Sequence, residues 1–265
     1  MLIDDRRKRI LDYLNQENSI SIKALSQRLR VSEMTIQRDL KTLEGQGLIQ
    51  RVRGGVTKQT AVQAQQELRS FEPQFDIKQK VHQPEKLAIA RYAASQLVQD
   101  GEIIILEGGT TVAGMAQFLT QENLTVLTNG IKTLNQVLPH LSRMNFMVCG
   151  GILRDVSYTL VGPQAEAFFA SFHAHKLFVS ATGLTAEDGL TDPSPLEVLV
   201  KQAMRRSARQ VILLLDSSKF GQQSLTPVFP LSEVSLVVTD EYAPPAMLAY
   251  LGSQGVDVRV VKIDA

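Results

Sequence analysis

The first 57 residues contain three short stretches in which apolar side chains recur every three or four positions, the period of a helix with one buried face. These stretches cover residues 6–14, 21–29 and 33–43, and Ser21 and Ser32 occupy suitable N-cap positions for the second and third. In the third stretch the apolar positions are Ile36, Leu40 and Leu43. The link between the last two stretches is so short that it predicts a tight helix-turn-helix corner.

A strand pattern follows the third predicted helix. Residues 48–53 read LIQRVR, which we interpret as a strand, and the pattern stops at the glycine pair 54–55. The pattern predicts a hairpin, or wing, on which Arg51 and Arg53 project to the same side. We therefore expect a winged helix-turn-helix domain over residues 1–57.

The rest of the chain has a different pattern. Short continuous apolar runs alternate with segments long enough for helices, which is typical of a parallel sheet covered on both faces. The predicted strands are residues 103–106, 124–127, 146–149, 177–180, 211–215, 236–238 and 256–261. The pattern predicts an α/β fold with a mostly parallel domain over residues 81–265, joined to the first domain by a partly helical linker over residues 58–80.

Charge is divided unevenly between the two parts. The 265-residue chain has a formal net charge of +1, but residues 1–57 hold eleven Lys and Arg against seven Asp and Glu. The remainder of the chain holds 17 basic and 20 acidic residues. A basic first module favours a polyanionic partner, although chance clustering on a solvated surface would give the same counts.

Several other signals are missing from the sequence. No apolar run approaches the roughly 18 residues of a membrane-spanning helix, and the first residues do not resemble a secretory signal. The single cysteine, Cys149, permits no internal disulfide and gives no metal cluster. We therefore expect a cytoplasmic protein with no membrane partner and no bound metal.

The third predicted helix leaves polar side chains outside its apolar stripe. Gln37 and Arg38 suit bidentate hydrogen bonds to base edges in the major groove. Contacts to phosphate oxygens, which fix register, suit the other polar side chains of the helix and wing: Ser32, Thr35, Lys41, Arg51 and Arg53. The alternative is an ordinary three-helix packing unit with a solvated outer face.

These residues also resemble a known family. Residues 31–40 read VSEMTIQRDL, residues 43–44 read LE, residues 47–49 read GLI and residues 51–55 read RVRGG. This is similar to the DeoR family of bacterial repressors, whose signature runs V-S-x-x-T-I-R-R-D-L, then L-E-x-x-G and R-x-x-G-G. The chain departs from the family at Gln37, where arginine is usual, and at Arg53, where histidine is common. The resemblance implies a transcriptional regulator whose partner is double-stranded operator DNA.

Small and polar residues follow most of the predicted strands of the second part. Ligands of open α/β sheets bind beyond the carboxyl ends of the strands, where glycine amides and hydroxyls form an anion cradle. The candidate effector-binding residues at these ends are Gly109, Thr110, Thr111, Thr128, Asn129, Gly150, Gly151, Asp216 and Lys219. A single Gly-Thr-Thr corner is more often a simple turn, but the repetition favours a phosphorylated, polyhydroxy ligand. The sequence has no P-loop and no Gly-x-Gly-x-x-Gly fingerprint, so ATP and NAD are unsupported as cofactors.

The second part also resembles the DeoR family, in its effector domain, which is similar in fold to sugar-phosphate isomerases such as ribose-5-phosphate isomerase. Matching stretches include residues 85–86, 100–101, 109–111, 124–129, 150–151 and 216–221. The resemblance implies a sugar-phosphate sensor, in which Glu197 and Lys201 close over the ligand. The alternative for this pair is an ion pair on one helix face. The chain departs from the family at Glu107, Gly130 and residues 192–195, and the last departure leaves open which sugar is recognised.

The sequence thus predicts a repressor of a carbohydrate catabolic operon, released by a phosphorylated sugar and acting as a homo-oligomer, either a dimer or a tetramer. We predict no catalytic residue. One alternative is a sugar-phosphate isomerase with a DNA-binding appendage, in which Glu107, Asp216, Glu197 and Lys219 supply acid-base chemistry. The other is a transcriptional activator.

Overall fold

A computed structural model of the chain describes residues 3–17, 19–45, 49–52, 55–58, 72–138 and 142–263. The chain divides into two compact units, Met1–Phe71 and Glu72–Ala265. Among the described residues, no helix is both long enough and apolar enough to cross a membrane.

In its described residues, the N-terminal unit contains three helices and a three-stranded antiparallel sheet. Its elements are α1 (Ile3–Glu17), β1 (Ser19–Ser21), α2 (Ile22–Leu29), α3 (Glu33–Gly45), β2 (Ile49–Val52) and β3 (Gly55–Lys58). The predicted helices and the β2–β3 wing hairpin are confirmed, and β3 lies between β2 and β1. Strand β1 escaped the sequence analysis because three residues are too few to show an alternation.

The apolar stripes of the three helices form one core. Ile36, Leu40 and Leu43 of α3 are buried, as their spacing predicts. Both predicted caps are present: the Ser21 hydroxyl accepts a hydrogen bond from the Ala24 amide at 3.1 Å, and the Ser32 hydroxyl accepts one from the Thr35 amide at 3.2 Å. The stripe of α3 therefore faces inward, and Gln37, Arg38 and Lys41 face solvent.

The C-terminal unit is built on a seven-stranded sheet in which every pair of neighbouring strands is parallel. Its strands are β4 (Ile103–Leu106), β5 (Leu124–Thr128), β6 (Met144–Val148), β9 (Ala174–Val179), β12 (Ala208–Leu214), β14 (Leu236–Asp240) and β15 (Asp257–Val261). Their order across the sheet is β15-β14-β12-β9-β4-β5-β6. Each strand overlaps one of the seven predicted strands, so the parallel α/β fold is confirmed.

Helices cover both faces of this sheet. They are α4 (Phe75–Lys80), α5 (Gln83–Gln96), α6 (Thr110–Met115), α7 (Ile131–Val137), α8 (Pro163–Ala170), α9 (Pro195–Ser207) and α10 (Pro245–Ser253). Successive strand residues point to opposite faces: Ile104 and Leu106 of β4 join one core cluster and Ile105 joins the other. Because both faces are covered at this central strand, β4 is apolar throughout.

Two small antiparallel sheets were not predicted. One is the hairpin of β7 (Ile152–Arg154) and β8 (Thr159–Val161), and the other contains β10 (Gly183–Thr185), β11 (Gly189–Asp192) and β13 (Thr226–Pro227). These strands have two to four residues each. Such lengths are too short for a hydrophobic period to identify them.

The predicted linker is too long at its C-terminal end. Residues 72–80 belong to the second unit rather than to a connector. Phe75 is 1% exposed, and its amide donates a hydrogen bond to the Val156 carbonyl at 2.8 Å. The sequence analysis placed the boundary near residue 80 because the contacts that bury this polar segment come from residues far along the chain.

Candidate functional site

The strand order creates a switch point in the parallel sheet. From β4 the chain proceeds outward through β5 and β6, and it then returns to place β9 on the other side of β4. Crevices at such points, beyond the carboxyl ends of the strands, are the usual ligand sites of open α/β sheets. A cavity of about 170 Å³ lies at this edge, lined by residues that follow β4, β9 and β12. It is smaller than the roughly 300–1,000 Å³ of drug-sized ligand sites, which favours a small metabolite.

The cavity brings together seven of the eleven predicted effector-binding residues. They are Gly109, Thr110, Thr111, Glu197, Lys201, Asp216 and Lys219. Gly109 must be a glycine for lack of space, since a Cβ there would lie 2.0 Å from the Ser180 hydroxyl oxygen and 2.8 Å from Oε2 of Glu107. The chain after β4 therefore packs closely against the end of β9.

The other four predicted residues do not line this cavity. The Thr128 hydroxyl donates a hydrogen bond to the Leu106 carbonyl at 2.6 Å, and Oδ1 of Asn129 accepts one from the Gly108 amide at 3.0 Å. Both residues thus hold the loop after β4 from behind. Gly150 and Gly151 are exposed and lie between β6 and β7, away from the cavity.

Lys201 of α9 is buried among acceptors. Its ammonium nitrogen lies 2.5 Å from Oδ2 of Asp192, 2.7 Å from the Ser180 carbonyl and 3.5 Å from Oε1 of Glu107. Although burial lowers the pKa of Lys201, the two carboxylates, with Glu197, outweigh it and raise that pKa. Lys201 is therefore a permanent cation that holds two carboxylates at the cavity wall.

Glu197, one turn before Lys201, pairs with a different cation. Its Oε1 lies 2.8 Å from Nη1 of Arg154 and accepts a hydrogen bond from the Thr159 hydroxyl at 2.6 Å. Burial raises the pKa of Glu197, but the charges of Arg154 and Lys201 and the nearby hydroxyls dominate and lower it to about 2. The short ion pairs of Glu197 and Lys201 are thus with residues outside α9.

Arg154 also binds the start of the unit. Its Nη2 donates a hydrogen bond to Oε2 of Glu72 at 2.9 Å, while Oε1 of Glu72 accepts one from the Lys78 ammonium at 2.9 Å. Glu72 and Arg154 are both buried, and Lys78 is partly exposed. The carboxylates of this wall are therefore already neutralised by protein cations.

A second part of the lining carries lysines. The ammonium of Lys86, which is buried, donates hydrogen bonds to the carbonyls of Lys78, at 2.7 Å, and Val81, and lies 3.8 Å from Oδ2 of Asp216. Burial lowers the pKa of Lys86, and the nearby Lys219 lowers it further, against the opposite effect of Asp216. Among the described residues, Lys219 forms no ion pair within 4 Å. Lys219 is thus a cation of the cavity that no described carboxylate pairs with, so it is available to bind an anion.

The predicted DNA-binding residues of α3 share an outer surface. Ser32, Gln37, Arg38 and Lys41 are exposed, and Thr35 is half-buried. In the described part of the chain, no hydrogen bond or ion pair engages the side chains of Gln37, Arg38 and Lys41, which extend into solvent. Arg51 lies on β2, with its side chain outside the described part of the structure, and Arg53 lies outside the described residues.

The two halves of the chain match two parts of one family. Residues 6–61 match the DeoR-like helix-turn-helix domain, and residues 81–241 match the DeoR C terminal sensor domain. This chain belongs to the DeoR family of transcriptional regulators. The sequence resemblance is thereby confirmed in both halves.

Curated DeoR-like relatives match along nearly their whole length. An uncharacterized HTH-type transcriptional regulator, YulB of Bacillus subtilis, is 34% identical over 99% of this chain and 98% of its own. The HTH-type transcriptional repressor GlcR of the same organism is 34% identical over 100% of this chain and 98% of its own. A putative aga operon transcriptional repressor of Escherichia coli O157:H7 is 30% identical over 97% and 93%. These relatives are regulators, which supports the regulator over the isomerase.

A solved structure of ribose 5-phosphate isomerase A from Methanocaldococcus jannaschii also resembles the chain. It is 16% identical, covers 51% of this chain and 53% of its own, and has a TM-score of 0.35. A similarity of that size does not transfer a ligand or an activity to this DeoR-family member.

Sequence reasoning missed several residues that build the cavity. Glu72, Lys78, Lys86, Ser180 and Asp192 line it. Two of them could have been identified from the sequence. Lys86 lies in residues 85–86, which match the family, and Asp192 lies in residues 192–195, which depart from it. Glu72 and Lys78 fell in the predicted linker, and only their buried contacts show that they belong to the DeoR-type sensor unit.

Proposed function

We propose that this DeoR-family regulator represses a carbohydrate catabolic operon and leaves its operator when a phosphorylated sugar occupies the cavity at the sheet switch point. The observation that carries the proposal is the composition of the cavity. One part of its lining, the lysine wall, presents Lys86, Lys219 and threonine hydroxyls. Another part, the carboxylate wall, presents carboxylates held by Lys201 and Arg154.

The lysine wall suits a phosphate. Lys219 has no carboxylate within ion-pair distance among the described residues, and Lys86 has one donor left beyond its two bonds to carbonyls. Thr110 and Thr111 add hydroxyls at the start of α6. Charge-assisted hydrogen bonds to a phosphate are about twice as strong as neutral ones, so this wall would dominate affinity.

The carboxylate wall suits hydroxyls. Glu107 and Asp192 are acceptors fixed by Lys201, Ser180 and Thr182, with hydrogen bonds of 2.8–3.2 Å from the serine and threonine amides and hydroxyls. Fixed acceptors bind sugar hydroxyls with little further ordering, and they disfavour a second anionic group. The proposed effector is therefore a sugar monophosphate.

The α3 surface is the proposed reader of DNA. Gln37 and Arg38 contact base edges, while Ser32, Thr35 and Lys41 contact phosphates, together with Arg51 and Arg53 on the wing. A monomeric winged helix covers few base pairs, so we propose a homo-oligomer that docks two modules on half-sites about 34–36 Å apart or a multiple of that.

Three measurements test the proposal. Sugar monophosphates should raise the melting temperature and weaken operator binding, whereas the matching unphosphorylated sugars should do neither. Deleting the gene should raise expression of the controlled operon. Equal stabilisation by both classes of sugar would contradict the phosphate site, and a fall in expression would show an activator instead.

A further inference from the structure

The segment through which the chain enters the C-terminal unit forms part of the cavity wall. We call residues 72–81 the entry segment; it contains α4 and directly follows Phe71, the last residue of the N-terminal unit. Four of its residues line the cavity: Glu72, Pro73, Phe75 and Lys78. A ligand in the cavity would therefore touch the stretch of chain that continues towards the DNA-binding unit.

Two ties through buried side chains hold the entry segment in place, in addition to the exposed ion pair of Asp76 with Lys132. The first is Glu72, whose two carboxylate oxygens bind Arg154 and Lys78 at 2.9 Å each. The second is the Lys86 ammonium, which donates to the carbonyls of Lys78 and Val81 at the C-terminal end of α4. Both ties use cations that line or adjoin the cavity, so an anionic ligand competes for them.

The β7–β8 hairpin also contacts the entry segment. The Val156 carbonyl accepts a hydrogen bond from the Phe75 amide, and the Tyr158 ring lies 6.3 Å from the Phe75 ring, edge on. Arg154, at the end of β7, binds both Glu72 and Glu197. The hairpin thus joins the entry segment to the carboxylate wall of the cavity.

A bend separates the entry segment from the body of the unit. His82, between α4 and α5, has φ of +53°, in the left-handed region that non-glycine residues seldom adopt. Beyond it, α5 packs into the core through Ile89, Ala90 and Ala93. The bend thus separates the entry segment from α5, and Lys86 of α5 reaches back across it to the carbonyls of Lys78 and Val81.

From these contacts we infer that the entry segment is the coupling element of the regulator. The phosphate of a bound sugar draws Lys86 away from the carbonyls of Lys78 and Val81, because an anion accepts more strongly than a carbonyl. Its negative charge also competes with the Glu72 carboxylate for Lys78. The entry segment then loosens, and the change passes along the chain to the DNA-binding unit. This inference rests on the proposed function, since it names how the same cavity regulates DNA binding.

The test uses the full-length protein and a matched pair of variants. Glu72→Gln removes the carboxylate charge that ties the segment, whereas Asp76→Asn removes one from the same segment at an exposed ion pair with Lys132. The operator is a duplex selected from a random pool by the parent protein. The probes are ribose 5-phosphate, glucose 6-phosphate, fructose 1-phosphate and inorganic phosphate.

Glu72→Gln should mimic the bound state. We expect it to bind the operator at least fivefold more weakly than the parent without any probe, and to respond less to the probe that weakens the parent most. Asp76→Asn should behave like the parent in both respects. Parent-like operator affinity in Glu72→Gln would overturn the inference, whether or not any probe acts on the parent.

Two further readouts separate coupling from misfolding and from failure of the proposed function. Lys78→Met breaks the same tie from a partly exposed position, and Lys80→Met on the same helix is its control. Amide hydrogen exchange of residues 75–81 should speed up in the parent when the active probe binds. A probe that releases the operator without changing that exchange would overturn the coupling role yet leave the proposed function standing. A parent that no probe releases would contradict the proposed function, and the comparison of Glu72→Gln with Asp76→Asn would still decide the coupling.

Discussion

Asp39 of α3 binds Arg6 of α1, with 2.5 Å between its Oδ2 and Nε of Arg6. Asp39 is buried although Arg38, its neighbour in sequence, is exposed. Arg7 adds a second contact to Oδ1 at 3.2 Å. The ion pair therefore fixes how α3 rotates on α1, and thereby which side chains of α3 face a DNA groove.

Replacing Asp39 should destabilise the N-terminal unit. Asp39→Ala leaves Arg6 and Arg7 without their carboxylate, and we expect a loss of about 1–3 kcal/mol, since the arginines regain some water. Thermal unfolding followed by circular dichroism measures it. Asp12→Ala, an exposed acid of α1, is the control and should change stability by less than about 0.5 kcal/mol. Similar losses of stability in both variants would show that the ion pair of Asp39 makes no specific contribution to stability.

The outer residues of α3 should divide into two classes. Arg38→Ala should weaken operator binding by about 1–3 kcal/mol and relax specificity at one base position. Lys41→Ala should weaken binding to all duplexes alike and reduce the salt slope by about one. Fluorescence anisotropy at several salt concentrations, with operator and scrambled duplexes, distinguishes them. Unchanged operator affinity in Arg38→Ala would refute its assignment to a base.

Lys219 should carry much of the affinity for phosphate. Lys219→Met removes the cation with no carboxylate partner nearby, and we expect a ten- to hundredfold weaker response to sugar monophosphates, the equivalent of one charge-assisted hydrogen bond of about 1.5–3 kcal/mol. Melting-temperature titrations measure the response. Lys262→Met, at an exposed site outside the cavity, is the control and should titrate like the parent.

Glu197 should make the C-terminal unit sensitive to acid. The pKa of Glu197 is lowered to about 2, below its ordinary value, so its charge stabilises the fold above about pH 4.3. That stability should be lost as the pH falls from about 4.3 to about 2. Because the chain has no tryptophan, urea unfolding is best followed by circular dichroism across this range. In Glu197→Gln the loss of stability over this window should be smaller, and an unchanged pH profile would contradict the assignment.

A fragment of the C-terminal unit should need the entry segment for its stability and for binding sugar monophosphates. A fragment that begins at Glu72 keeps the buried Phe75 and Glu72, whereas one that begins at Val81 loses both. Truncating a buried phenylalanine alone costs about 3–5 kcal/mol. We expect the longer fragment to bind sugar monophosphates and the shorter one to melt lower and bind them weakly. Equal binding by the two fragments would show that residues 72–80 are dispensable for the cavity.

Local signals allowed much of the site to be predicted. Thr110 and Lys219 follow apolar runs that could only be buried strands, and the parallel pattern placed their carboxyl ends at one edge. Thr128 and Asn129 satisfy the same rule but lie behind the loop after β4. The rule gives the edge of the sheet, whereas the direction of each side chain depends on hydrogen bonds to neighbouring strands.

By itself, the sequence determined the elements and their chemistry. The stripe of Ile36, Leu40 and Leu43 defines α3 and leaves Arg38 outside, because a helical period is a local property of the chain. Continuous apolar strands determined the parallel sheet for the same reason.

Only the tertiary structure decided the strand order, and with it the position of the switch point between β4 and β9. It also decided that Glu72 and Arg154, 82 residues apart in the chain, share one buried ion pair. Contacts at such separations depend on how strands far apart in the chain are ordered and how loops close over them, which no local pattern records.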